Sequence, residues 1–131
     1  MAHRNSTLAR NTMADAFTPL LNSGKIRIRT GAQETNVGDA DGGTLLATLT
    51  FGATAFGASA TGVATANSIT SDTNAAASGT AGHARLYKSD NTTIVSDATC
   101  GQGSGDFNFD NSAIVAGGTV AVSSMTFTVP I

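Results

Sequence analysis

The chain has no tryptophan, one tyrosine and six phenylalanines in 131 residues, so the side chains that usually dominate core burial are scarce. Ala, Gly, Ser and Thr supply about half of it, which leaves a thin core and makes burial on a partner a natural remedy. Cys100 is the only cysteine, so an internal disulfide is excluded. No apolar run approaches the length that crosses a bilayer, and the N-terminal residues lack the apolar centre of a secretion signal. These absences point to synthesis in a cytoplasm and to no membrane partner. Asn5-Ser6-Thr7 and Asn91-Thr92-Thr93 then read as accidental glycosylation sequons.

Charge is sparse and unevenly placed. The net value of -2 divides into +4 over residues 1–30 and -6 over the remainder, since Arg4, Arg10, Lys25, Arg27 and Arg29 face Asp15 alone in the first part. A basic end on an acidic body suits docking on an acidic surface, or head-to-tail self-association, and argues against direct nucleic-acid binding, which normally needs a basic domain.

The clearest structural signal lies between Ser78 and Gly101. Residues 80–88 and 93–99 are extended and flank the turn formers Lys88-Ser89-Asp90-Asn91-Thr92, a β-hairpin whose Asp and Asn tolerate the reversal. At the front, residues 1–24 form an arm and a helix. Leu8, Met13, Ala16, Phe17, Leu20 and Leu21 recur at helical spacing over 7–22, with Ser6 as cap, Gly24 as stop and Pro19 as a kink or split. Lys25 to Thr30 alternates charge with β-branched residues, and 44–51, 63–70, 106–109 and 119–129 also read as strands. The last of these carries a bulge or double-sided burial. Residues 31–43 read as a loop and 52–62 as a bulged strand or turn anchored by Phe56. The whole is a single unit, mainly β: an antiparallel β-sandwich or jelly-roll-like domain over 25–131 behind one N-terminal amphipathic helix.

No catalytic constellation is apparent. Asp39-Ala40-Asp41-Gly42 begins like a calcium loop but lacks the further oxygen ligand and the closing Glu, so it reads as a solvated turn. The glycines of 101–105, followed by Asp106, make neither a stacked calcium repeat nor a phosphate loop. His83 and Cys100 lie across the hairpin from one another without an orienting group or an oxyanion site, and so read as ordinary strand residues. The reading assigns no enzyme activity, no cofactor, no metal and no catalytic residue.

Four segments resemble a known group: Leu21 to Ile28, Gly43 to Phe51, Ala66 to Asp72 and Ser89 to Val95. They look like a family of small β-rich virion proteins encoded in tailed-bacteriophage structural modules, and the likeness extends over residues 8–129. Members are usually described as capsid decoration, or cement, proteins. The resemblance implies a protein on the capsid exterior that binds the major capsid protein as a dimer or trimer. It carries no functional residue over to a numbered position. From the charge and helix pattern, Arg4, Leu8, Arg10, Met13, Phe17, Lys25, Arg27 and Arg29 are the candidate partner-binding residues. The alternatives are another virion part, such as a neck, tail or head-fibre component, and a carbohydrate-binding β-sandwich. The last is disfavoured by the lack of exposed-type aromatics beyond Tyr87.

Overall fold

A computed structural model describes residues 3–101, 107–109 and 113–129. Ser6 is extended (φ -67°, ψ 165°), and its hydroxyl oxygen accepts the N–H of Ala9 at 3.1 Å, which opens helix α1, Thr7–Phe17. Pro19 then tightens the chain into a 3-10 turn, Thr18–Leu21, so the expected helix is split there. The stop comes one residue early, because Ser23 rather than Gly24 takes the left-handed position (φ 56°). Gly24 serves a different need, since a Cβ there would stand 2.4 Å from the Tyr87 carbonyl oxygen.

Among the described residues ten strands follow: β1 Lys25–Arg29, β2 Leu45–Phe51, β3 Val63–Thr65, β4 Ile69–Thr70, β5 Gly79–Thr80, β6 His83–Tyr87, β7 Ile94–Gly101, β8 Phe107–Phe109, β9 Ala113–Ile114 and β10 Val122–Thr128. Eight form one sheet in the order β3-β10-β8-β7-β6-β1-β2-β4, while β5 and β9 make a separate ribbon. Every pairing is antiparallel except β7 with β8.

The two edge strands β3 and β4 are joined by residues 66–68 alone. Extended chain from Thr65 to Ile69 spans at most about 14 Å, so the sheet must curl until its edges are close. The curl lets Ile26, Ile28, Leu49 and Leu86 from one half share a core with Ala64, Val120 and Met125 from the other. Phe17 stacks on Phe127 at 4.3 Å between centroids, which joins α1 to the same core. The protein is therefore mainly β and antiparallel with one N-terminal helix, and its curled sheet is compatible with a sandwich or jelly roll.

The expected strand over 63–70 is interrupted at 66–68, where Ala66 donates its N–H to the Met125 carbonyl and Asn67 to that of Ala55. In β2 a register shift between Ile28 and Arg29 of its partner leaves Leu46 as an extra residue, so Leu46 is buried together with Ala47, Leu49 and Phe51. A second register shift, between Val122 and Ser124, supplies the bulge expected in the last strand. The glycine run 102–105 and Asp106 lie outside the described residues.

Candidate functional site

Strand alternation sorts β1, β6 and β7 into two faces. Ile26, Ile28, Ala84, Leu86 and Ala98 point to the core. The opposite face carries Lys25, Arg27 and Arg29 from β1, His83, Arg85 and Tyr87 from β6, and Asp97 from β7, with Arg27 and Asp97 each directly opposite Arg85. A polar sheet face normally meets water. This one is roofed by residues 31–43, and Arg85 retains only 1% exposure.

The roof is an Ω-shaped loop whose ends are pinned together. Thr30 donates its N–H to the Thr44 carbonyl at 3.1 Å, and Thr44 returns its own to the Thr30 hydroxyl at 2.9 Å. Gly31 and Gly43, at φ 82° and 69°, turn the chain at either end.

Arg85 is the centre of the site, and each of its N–H donors has an acceptor. Its Nε donates to Asp97 Oδ1 at 2.7 Å and Nη2 to Asp97 Oδ2 at 3.4 Å; Nη2 also donates to Glu34 Oε2 at 3.1 Å. Nη1 donates to Asp41 Oδ1 at 2.7 Å and to the Asp39 carbonyl at 2.6 Å. The hydrogen bond to Asp97 holds the guanidinium pKa above its ordinary value, against the opposing effect of burial.

Asp41 is the most heavily shared carboxylate. Beside Arg85 it lies 3.3 Å from Arg29 Nη2 and 3.5 Å from Arg27 Nη1, and it accepts the Tyr87 hydroxyl at 2.8 Å. Burial would raise its pKa, but Tyr87, Arg85 and Arg29 outweigh that and hold it below the usual carboxylate range. Glu34 is likewise lowered: burial is outweighed by the Gly42 N–H and by the charges of His83 and Arg85. Burial, then the hydrogen bond to Asp41, raises the Tyr87 hydroxyl. Arg27 stacks over the Tyr87 ring at 4.5 Å and donates to both the side chain and the carbonyl of Asn91, tying the hairpin loop to β1.

Residues 39–42, read from sequence as a solvated turn, instead turn Asp41 inward onto the sheet, in an arrangement that is the reverse of a cation site. Asp41 faces three guanidinium groups, and the Asp39 carboxylate binds the backbone and side-chain N–H groups of Asn36. Among the described residues no cluster of three metal-type ligands occurs. His83 and Cys100 point to opposite faces, since His83 pairs with Thr99 and Cys100 is the next residue; Cys100 packs on the core. Tyr87 is buried, so it offers no stacking platform to a sugar.

The candidate partner-binding residues divide sharply. Arg27 and Arg29 are engaged within the chain, Lys25 Nζ donates to Thr50 Oγ1 at 3.1 Å, Arg10 donates to the Thr61 carbonyl at 3.0 Å, and Phe17 is half-buried on Phe127. Arg4, Leu8 and Met13 face outward. What the sequence reading missed was Arg85 with Glu34, Asp41 and Asp97. The available signal was parity: His83, Arg85 and Tyr87 alternate on one face of β6, a polar face too charged to stand without counterions.

No family model, no curated protein and no solved structure matches this chain.

The charge network sets a pH dependence. Glu34 and Asp41 have lowered folded pKa values, so their contribution is complete above the unfolded carboxylate pKa and is lost as pH falls through the folded one. Tyr87 has a raised folded pKa, so its contribution is complete below about 10, the unfolded value, and lost as pH rises through the folded one. The expected urea midpoint is flat from about pH 5.5 to 9 and falls on both sides, with the acid limb shallower in Asp41→Asn. A midpoint unchanged down to about pH 3 would refute the network's role in stability.

Proposed function

We propose that this chain is a non-enzymatic structural protein of a tailed-phage virion. In this reading it decorates the outside of the capsid, as a dimer or trimer, and stabilises contacts between major capsid subunits.

The observation that carries the reading is the orientation of α1. Three of its polar side chains are tied to the 59–62 segment: Asn11 Oδ1 accepts the Gly62 N–H at 2.8 Å, Asp15 Oδ1 accepts that of Ser59 at 3.0 Å, and Arg10 donates to the Thr61 carbonyl. Leu8 is left 78% exposed, and Met13 and Leu20 are also exposed. A helix that docks through Ala14 and Phe17 and still presents Leu8 and Met13 to water has further apolar area that another surface can bury. A shell subunit supplies that surface, and the exposed Arg4 adds a charge for its acidic rim. The four-segment resemblance is the reason for choosing a capsid. Binding only the assembled shell would stabilise it by mass action, and repetition over the shell makes modest contacts collectively strong.

Two measurements test the reading. Mass-spectrometric counting on purified particles should find hundreds of copies; about a dozen or fewer would move the protein to a neck, tail or fibre position. Leu8→Asp should leave the melting temperature within the effect of about 0.5 kcal/mol, because the side chain is exposed, yet weaken particle binding by about tenfold or more. Wild-type occupancy with Leu8→Asp would sink the helix as the docking element.

A further inference from the structure

Arg27, Arg29, Arg85 and the Tyr87 hydroxyl converge on a single carboxylate, that of Asp41. Four donors from two adjacent strands aimed at one anion form a binding site by the rules that govern any oxyanion pocket. Here the occupant belongs to the protein itself. We propose that this cluster is an oxyanion seat which the chain's own Asp41 closes, and that a carboxylate or phosphate group from outside takes the seat when the 31–43 loop withdraws.

Three observations support a seat rather than a mere structural ion pair. First, the donors outnumber what Asp41 uses. The Arg29 Nε atom is buried without a hydrogen-bond partner. A buried donor left unmatched is unusual, and a ligand with more oxygens than a carboxylate could use it. Second, the seat opens to solvent on one side: the Asp41 and Arg27 side chains keep 19% and 25% of their exposure, whereas Arg85 behind them is closed off. Third, the occupant sits on an exposed loop rather than in the sheet: residues 35–40 are exposed, and left-handed Gly31 and Gly43 turn the chain at either end.

A carboxylate outside the loop explains why emptying the seat need not dismantle the site. Asp97 holds Arg85 from β7 through two hydrogen bonds, independently of residues 31–43. Loss of Asp41 therefore leaves Arg85 paired and releases Arg27 Nη1 and Arg29 Nη2, while Arg27 stays on Asn91 and Arg29 Nη1 on the Gly42 and Gly43 carbonyls. The inference does not rest on the capsid reading, since it needs no partner surface.

The test uses Asp41→Asn, which keeps the side-chain shape and removes the competing charge. Purified wild-type and variant proteins are titrated with inorganic phosphate and with acetate, at ionic strength held constant with sodium chloride, and read by calorimetry. If the wild-type seat is vacant in about one molecule in a hundred, removing the latch raises the apparent phosphate affinity about a hundredfold. Adding Arg29→Gln to the variant should abolish that gain. Phosphate binding without acetate binding would identify the preferred oxyanion as phosphate, and the converse as carboxylate; either supports the seat. A folded variant with no saturable response to either anion overturns it. Should Asp41→Asn fail to fold, the wild-type protein decides: Tyr87 is the only tyrosine and there is no tryptophan, so intrinsic emission reports the Tyr87–Asp41 hydrogen bond directly. A saturable phosphate-dependent change then supports the seat, and an emission indifferent to phosphate beyond the chloride control overturns it.

Discussion

Arg85→Met is expected to destabilise the protein by about 3–5 kcal/mol, because it removes one cation and leaves Glu34, Asp41 and Asp97 facing one another under the loop. For a domain of this size that is a fall of roughly 10–20 °C in melting temperature, and a large part of the total stability of an ordinary domain. The cost is not the worth of the salt bridges themselves. Removing Arg85 together with the two carboxylates that no other arginine holds, as Arg85→Met with Glu34→Gln and Asp97→Asn, should recover much of the loss, since Asp41 keeps Arg27 and Arg29 and the remaining groups need no buried counterion. Thermal denaturation of the single and the threefold variant separates the two effects. A single variant within about 1 kcal/mol of wild type would mean that the loop does not depend on this latch.

A comparably large effect is expected from adding one methyl group at Gly82. A Cβ there would stand 2.1 Å from the Gly31 carbonyl oxygen and 2.7 Å from the Gly31 nitrogen, both backbone atoms that cannot swing aside. Gly82 also donates its N–H to the Arg29 carbonyl at 2.9 Å, so it fixes the root of the loop against β1. Gly82→Ala should cost about 3 kcal/mol, at the upper end of overpacking, with faster proteolysis inside 31–43. Gly38→Ala is the control. It meets nothing within 4 Å and lies at the loop's outer part, so it should be neutral or slightly stabilising through the unfolded chain. Equal effects at the two glycines would refute the close approach as the reason for Gly82.

Local signals in the sequence translated well into structure. Ser6 caps the helix, Pro19 splits it, and the hairpin turns where Asn91 takes φ 60° while Asp90 accepts the N–H groups of Thr92 and Thr93. Each depends on residues within a few positions of each other, where side-chain chemistry acts on its own backbone. The roof over the sheet was not legible for the opposite reason. Arg85 meets partners 51, 44 and 12 residues away, and residues 31–43 have no periodicity because their order comes from charge rather than from burial of apolar side chains. The basic run Lys25-Ile26-Arg27-Ile28-Arg29 was misleading in a related way. Its alternation correctly placed Ile26 and Ile28 in the core, but charge on the other face was read as facing a partner when two of its three cations are neutralised within the chain.

The position of β1 between β2 and β6 has a consequence for how the chain acquires its fold. Its pairing with β2 is a short-range event, whereas its second neighbour, Tyr87 opposite Lys25, is about sixty residues further on. At translation rates of about 5–20 residues per second, the β1 edge that awaits β6 is left uncovered for roughly 3–12 s. Such an edge, bearing Ile26 and Ile28, is the kind of template on which nascent chains pair wrongly. Lys25, Arg27 and Arg29 interrupt it at every second position, so that before Arg85 exists they act as gatekeepers that repel a second copy of the same strand. Once β6 arrives, the two arginines change employment, from keeping neighbours away to holding the loop down.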